Sequence, residues 1–456
     1  MHRNTALIAG IAAILLLAAG CGNSGGHGTA PGGGADAESG TGGGTASGGH
    51  GMGGALGGAV AGGAPAGGAI TDGGSAGQDT SGGSGFSSDT FLPWYGGPAY
   101  YAKWSNGPSS DPAFFMLTVW LQSPPNASRY KQVGINFFTG LWQGPTEAQL
   151  TALAAAGIPT ICDQSGVWQA HLADKTIRAW LQPDEPDNAQ ANASGGYDPC
   201  IDPSVIVAGY DTMKTGDPSR PVYLGLGRGV ADTQYIGRGT CTGKTDMYKD
   251  YAKGADILGF DIYPANDGVA IEIVASGLDN LLTWSGRSKP VIGIIEASNI
   301  NDTHRPTPAQ IKSEVWMDLV HGAAGIEYFC HRFAPTFSET DCLDDIPTQA
   351  ALKDINAQVT ALAPVLNNPP VANGVTVQSS TSTIPVDTRL ARYGGATYVF
   401  AAEMRGGSTT ATFTLRDFPA TASTEVIGET RTIAVTNGVF TDDFNSYDVH
   451  LYRITF

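Results

Sequence analysis

Residues 180–190 read WLQPDEPDNAQ. Three carboxylates, Asp184, Glu185 and Asp187, stand around Pro183 and Pro186, directly after the apolar run IRAWLQ. A further carboxylate, Glu296, closes another apolar run, PVIGIIE. Loops are often acidic, so a solvated turn is one account of the first group. An ionisable residue that ends a run such as GII is harder to dismiss, because glutamate is seldom buried without a partner. Two carboxyls in one site can do acid–base and nucleophilic chemistry. One is protonated and gives its proton to a leaving oxygen; the other is ionised and attacks carbon or activates water. Shared burial pushes their pKa values apart, which makes that division of labour possible.

The elements that must position these residues follow a regular plan. Eight apolar runs rich in β-branched and aromatic residues recur: FFMLTVW (114–120), GINFF (134–138), IPTICD (158–163), IRAWLQ (177–182), PVYLGLG (221–227), ADILGFDIY (255–263), PVIGIIE (290–296) and AGIEYFC (324–330). Amphipathic stretches alternate with several of them, including TEAQLTALAAAG (146–157), DPSVIVAGYDTMKTG (202–216), AIEIVASGLDNLLTW (270–284) and PAQIKSEVWMDLVHG (308–322). Gly157 and Gly322 are natural helix stops. Near-continuous apolar strands alternating with helices predict a parallel sheet covered on both faces. Their number and span predict an α/β fold of the TIM-barrel type, (β/α)8, over residues 87–366. The first run is followed by no GxGxxG turn, which argues against a dinucleotide fold. Residues 367–456 switch to period-two alternation, as in ATYVFAAEM and RTIAVTNGVF, and predict a small antiparallel β-sandwich.

In such a barrel, chemistry sits where strands end at their C-terminal side. Glu185 follows the fourth run and Glu296 ends the seventh, so the two can face each other across the mouth. Hydrolysis of a glycosidic bond uses such a pair. The arrangement resembles the clan A retaining glycoside hydrolases, which place an acid/base glutamate after strand four, usually in Asn-Glu-Pro, and a nucleophilic glutamate at the end of strand seven. That resemblance implies Glu185 as acid/base, Glu296 as nucleophile and a β-linked glycan as substrate, with carboxyls roughly 5–5.5 Å apart. It also implies that Tyr263, after the sixth run, bonds the nucleophile. Two departures stand out. Asp184 replaces the usual Asn, and the eighth run ends in YFCHRF without the family's tryptophan. The further substrate-binding candidates are Asp184, Asp163, His331, Phe333, Trp142 and Trp168. Asp163, Asp261 and His331 equally read as structural hydrogen-bonding groups, and loop aromatics as domain-closing ones. A glycan-binding protein without turnover and a transglycosylase are the competing readings of the same residues.

The start of the chain adds a location. Residues 1–20, MHRNTALIAGIAAILLLAAG, have the basic start, apolar run and small-residue end of a secretory signal. Cys21 follows, and LLAAG-Cys resembles a bacterial lipoprotein cleavage site with Cys21 as the acylated residue. Residues 22–86 form a Gly/Ser/Ala-rich stretch that cannot bury enough apolar surface to order itself. It predicts a disordered tether with a reach of roughly 5–6 Å times the square root of its length. The expectation is a monomer at the bacterial cell envelope, extracytoplasmic, on the outer membrane or cell surface, touching membrane only through Cys21. The formal net charge of −17 argues against nucleic acid and anionic membrane surfaces as partners. It is compatible with a neutral carbohydrate. No metal or organic cofactor is expected. Among six cysteines, Cys330 with Cys342 and Cys200 with Cys241 are candidate disulfides, and Cys162 reads as a buried thiol.

Overall fold

The computed structural model describes residues 89–94, 96–194, 196–232 and 243–455. The signal segment with Cys21, the glycine-rich stretch and Cys241 lie outside the described residues.

Each of the eight apolar runs is a strand: β1 (Met116–Trp120), β2 (Phe137–Thr139), β3 (Thr160–Cys162), β4 (Ile177–Leu181), β5 (Val222–Leu226), β6 (Ile257–Asp261), β7 (Val291–Glu296) and β8 (Gly325–Phe329). They pair in parallel in chain order, and β8 closes on β1 with Met116 opposite Gly325. Strand alternation sorts the side chains into two cores. Met116, Phe137, Ile161, Ala179, Tyr223, Ile257 and Ile292 fill the barrel interior. Leu117, Phe138, Cys162, Trp180, Leu224, Leu258 and Ile295 meet the surrounding helices. Each fully buried aliphatic or aromatic side chain is worth roughly 1.5–3 kcal/mol of transfer free energy.

The helices begin and end where the sequence signals say. Helix α1 (Glu147–Ala156) has a capping box between Thr146 and Gln149 and stops at left-handed Gly157. Helices α2 (Pro203–Gly216) and α3 (Ile273–Trp284) follow in the outer layer. Helix α4 (Pro308–His321) repeats the capping box with Thr307 and Gln310 and stops at left-handed Gly322. Helix α5 (Ile346–Leu366) leads out of the barrel. Cys330 and Cys342 are joined, which pins the loop after β8, and Cys200 is also disulfide-bonded. Cys162 is a buried free thiol.

The second domain is one continuous antiparallel sheet of eight strands, β9 (Val375–Ser379), β10 (Val386–Tyr393), β11 (Ala396–Glu403), β12 (Thr409–Leu415), β13 (Thr421–Val426), β14 (Thr432–Thr436), β15 (Val439–Phe444) and β16 (Val449–Thr455). Its spatial order is β9-β12-β15-β14-β13-β16-β11-β10. Residues from both ends of that order, Val399 and Tyr452 with Phe413 and Phe440, share one core, as in a sandwich. The opposite face packs on the barrel: Phe400 meets Trp316 of α4 at 5.3 Å between ring centroids. Arg389 on β10, 2 % exposed, fixes this contact. Its guanidinium donates to the carbonyls of Leu319, Leu366 and Asn368, at the C-terminal ends of α4 and α5. A buried cation there meets the negative ends of two helices.

Candidate active site

A cavity of about 410 Å³ opens at the C-terminal ends of the barrel strands and takes lining residues from each of the eight or from the segment that follows it. That is a ligand-sized space. Trp120, Trp142, Tyr263, Phe329 and Phe333 supply apolar wall, and Asp163, Asp184, Glu185, Asp261, Asp267 and Glu327 supply carboxyls.

The exit of β4 answers for the proline-bracketed acidic stretch. Glu185 sits at φ +40°, in the left-handed region. For a non-glycine residue that conformation costs on the order of 1–3 kcal/mol and persists only if the surroundings enforce it. Here they do. The Glu185 N–H donates to the Gly225 carbonyl at 3.2 Å, and its carbonyl accepts from the Asn188 N–H and the Gln190 amide, each at 3.0 Å. Pro186 bars the right-handed helical alternative. Asp187 is a structural pin: its carboxylate accepts from the Gly227 N–H and the Tyr248 hydroxyl, both at 2.9 Å. Gly227 has no side chain for good reason, since a Cβ there would lie 2.6 Å from Glu185 Oε1. The turn thus spends backbone strain to hold one carboxyl over the cavity.

That carboxyl meets another. Glu185 hydrogen-bonds Asp261 at the end of β6. Burial, then the neighbouring Asp261, Asp184 and Asp187, pushes the Glu185 carboxyl well above the usual carboxylate range. Burial also raises Asp261, but hydrogen bonds from Tyr263 and Glu185 favour its charged form and pull its pKa back down. The environment therefore separates the two: Glu185 keeps a proton and Asp261 gives one up first. Asp184 lines the cavity, and burial together with the charges of Asp261, Glu327 and Asp187 raises its carboxyl. On the floor, Glu327 Oε2 accepts from the Tyr223 hydroxyl at 3.3 Å, and burial pushes its carboxyl up to about 8.

Of the residues singled out in the sequence, Glu185, Asp184, Asp163, Tyr263, Trp142 and Phe333 line this cavity. Three do not. Trp168 stacks edge-on against Trp180 in the outer core, 5.7 Å between centroids, because the loop after β3 turns outward over α2. His331 is buried beneath the rim, between Phe333 and Phe337, and burial lowers its pKa to about 4, so it is a neutral packing group. Glu296 is the main correction. It is 0 % exposed and absent from the cavity wall. Its carboxylate is taken by the Ala265 N–H at 2.5 Å, the Asn266 N–H at 2.9 Å and the Asn266 amide at 2.5 Å. Those donors belong to the short turn Pro264–Asp267 after β6, so Glu296 anchors the loop that carries Tyr263. The Tyr263 hydroxyl accordingly bonds Asp261, not Glu296. Sequence reading also passed over Glu327, an ionisable residue inside the apolar run AGIEYFC, and Trp120, an aromatic closing the first run. Both signals were visible.

Glu296→Gln tests this assignment. Glutamine offers one acceptor oxygen to three donors and sets its own N–H groups against them. Stability should fall by about 2–3 kcal/mol in urea unfolding, as expected for buried N–H donors left without an acceptor. KM should rise as the Tyr263 loop loosens, with kcat down less than about tenfold. Loss of kcat by ~10³-fold at unchanged stability would restore Glu296 as the nucleophile.

Comparisons with known proteins follow from this geometry. No family model and no curated protein sequence matches the chain. Among solved structures it is similar to the alpha-amylase of Geobacillus thermoleovorans complexed with acarbose, at 11% identity over 73% of this chain and 91% of that one, TM-score 0.48. It is similar also to a GH30 endoxylanase from Clostridium papyrosolvens C71, at 11% identity, 81% and 98% coverage and TM-score 0.42. A glucosidase from Croceicoccus marinus stands at 11% identity, 77% and 98% coverage and TM-score 0.40. Likeness this remote adds nothing to the barrel and sheet read from the strands themselves. The chemistry rests on the cavity.

Proposed function

We propose that this protein is a glycoside hydrolase, exported and tethered by lipid at Cys21, that cleaves β-glycosidic bonds with retention. The observation that carries the reading is the Glu185–Asp261 pair: two carboxyls in contact at the mouth of a barrel, in a ligand-sized cavity with aromatic walls, whose surroundings push their pKa values apart. Glu185 holds the proton that the leaving oxygen needs. Asp261, steadied by Tyr263, is the ionised partner that attacks the anomeric carbon. Retention is the outcome that the clan A resemblance implies, and it requires the two carboxyls to stand roughly 5–5.5 Å apart when the sugar lies between them. The aromatic walls suit the C–H faces of sugar rings. The β linkage rests on the clan A resemblance of the DEP exit, and the tether on the sequence of residues 1–86.

The test is reducing-end release from β-linked glucans, mannans, galactans and xylans by the full chain, wild type beside Glu185→Gln, with the first-formed anomer read by proton NMR. Release by wild type alone, with the β-anomer formed first, supports the reading. Glycan binding without release by either protein would make this a binding protein instead.

A further inference from the structure

The loop after β8 is built more firmly than a connection needs. It leaves the strand at Cys330 and is closed by the disulfide to Cys342. Within it the backbones of Arg332 and Ser338 exchange hydrogen bonds at 2.8 and 2.9 Å, so residues 332–338 form a small hairpin. The Arg332 guanidinium pairs with Asp341 at 3.1 Å. The Glu339 carboxylate accepts from the N–H and hydroxyl of Ser123 and from the amide of Asn126, on the segment after β1. A hairpin tied on both sides still leaves Phe337, near its tip, 47 % exposed. That ring ends a chain of aromatic contacts that starts in the cavity. Tyr263, the partner of Asp261, stands 4.8 Å from Phe329 between centroids, Phe329 stands 6.2 Å from Phe333, and Phe333 stands 6.1 Å from Phe337. The first three line the cavity, and Phe337 lies one ring beyond its wall. Buried His331 backs the exposed ring at 5.9 Å, with 29° between planes.

We propose that Phe337 is the platform for a further sugar ring of the same glycan, outside the unit held at Glu185 and Asp261, so that the protein prefers chains to single glycosides. This rests on the glycoside hydrolase reading of the cavity. A pyranose ring turns a face of C–H groups outward. A phenyl ring takes up that face through dispersion and the burial of apolar surface, and its negative π-face meets the positive ends of the C–H bonds. The contact asks for no particular hydroxyl. It therefore adds affinity for length and leaves the identity of the sugar to the polar groups of the cavity. The occupant is argued from continuity: Phe333 belongs to the cavity wall and touches Phe337, so a chain that leaves the cavity over Phe333 meets Phe337 next. The hairpin is fixed before any ligand arrives, so binding there forfeits little ordering entropy.

The experiment is calorimetric binding to the full chain carrying Glu185→Gln, which separates binding from turnover. The probes are the methyl β-glycoside and the dimer through hexamer of β-1,4-linked glucose, mannose, galactose and xylose. In at least one series affinity should rise with length. Adding Phe337→Ala should remove one step of that rise, weakening the hexamer about five- to tenfold, as the loss of a half-buried aromatic contact does. Lengths below that step should bind as before, and Phe337→Trp should keep the step. In the protein with Glu185 intact, Phe337→Ala should raise KM for the hexamer by a similar factor, with kcat falling far less. The proposal is overturned if Phe337→Ala binds every length as the parent does, or if no series binds. It is overturned too if every length weakens equally, the methyl glycoside included, since Phe337 would then only brace the fold. Loss in Phe337→Trp as large as in Phe337→Ala would count the same way. Wild-type cleavage with no length step at Phe337 would remove this inference and leave the hydrolase standing. A length step at Phe337 without turnover by wild type would do the reverse.

Discussion

Glu185→Gln is expected to lower kcat on a natural glycan by about 10³-fold or more, within the range that a positioned general acid supplies together with its charge. The same change should leave the fold intact or slightly steadier. Glu185 is already neutral in the fold, and a glutamine there keeps a donor toward Asp261 but does not ionise in the unfolded chain. Asp261→Asn should be as damaging, and the two variants can be told apart. An activated aryl glycoside has a leaving group that departs without a proton, so Glu185→Gln should be far less impaired on it. Asp261→Asn removes the attacking group and should be equally impaired on both substrates. The pH profile gives a second reading. Activity needs Glu185 protonated, so it falls as pH rises through the raised pKa of that group; it needs Asp261 ionised, so it falls as pH drops through the pKa of that one. The limbs belong to the coupled pair and not to either residue alone. In Glu185→Gln the alkaline limb should vanish. Equal loss on both substrates in both variants, with the alkaline limb kept, would sink this assignment.

The barrel was legible because its strands are buried on both faces and therefore appear as near-continuous apolar runs. Thr146 with Gln149 and Thr307 with Gln310 could be read as helix starts because the capping box is a local device. The DEP exit of β4 was legible for a similar reason, since prolines fix a backbone wherever the rest of the chain lies. Glu296 shows the limit. Strand parity puts Ile292 inside the barrel and Ile294 in the cavity wall, and the same period carries Glu296 to the mouth. What captures it are N–H groups of Ala265 and Asn266, from the loop after the neighbouring strand. No spacing within PVIGIIE encodes that meeting. Asp261 was undervalued for the converse reason. Its role comes from contact with Glu185 across a strand order that the sequence does not print. Trp168 failed because a loop aromatic carries no mark of the side to which its loop turns.

Asp318→Asn is expected to stabilise the protein at pH 8 and to change little at pH 4. Asp318 and Glu314 lie one turn apart on the inner face of α4, both 0 % exposed, and all four of their carboxyl oxygens lack a partner among the described residues. Gly293 on β7 makes the space, because a Cβ there would lie 1.8 Å from Asp318 Oδ2. Burial pushes Asp318 up to about 8 and Glu314 well above the usual carboxylate range, with Glu296 and Asp318 adding to the latter. In the unfolded chain these groups ionise near ~4. Between there and the folded pKa the native state binds more protons than the unfolded one, so stability falls as pH rises. This contribution is complete below pH ~4, is lost progressively up to pH ~8, and is flat above. At about 1.4 kcal/mol per pKa unit the loss at Asp318 amounts to roughly 2–5 kcal/mol, the lower figure allowing for relaxation around the charge. Asparagine is as poorly partnered as the neutral acid but does not ionise in the unfolded chain, so it removes the slope without changing the acid end. Urea unfolding of both proteins at pH 4 and pH 8 isolates the effect, because every other carboxylate is common to the two. A gain confined to pH 8 means that the barrel carries a protonated acid between α4 and β7. An equal shift at both pH values would mean that Asp318 is already ionised and paired in solution, and the buried acid pair could then not be the source of any acid tolerance of the fold.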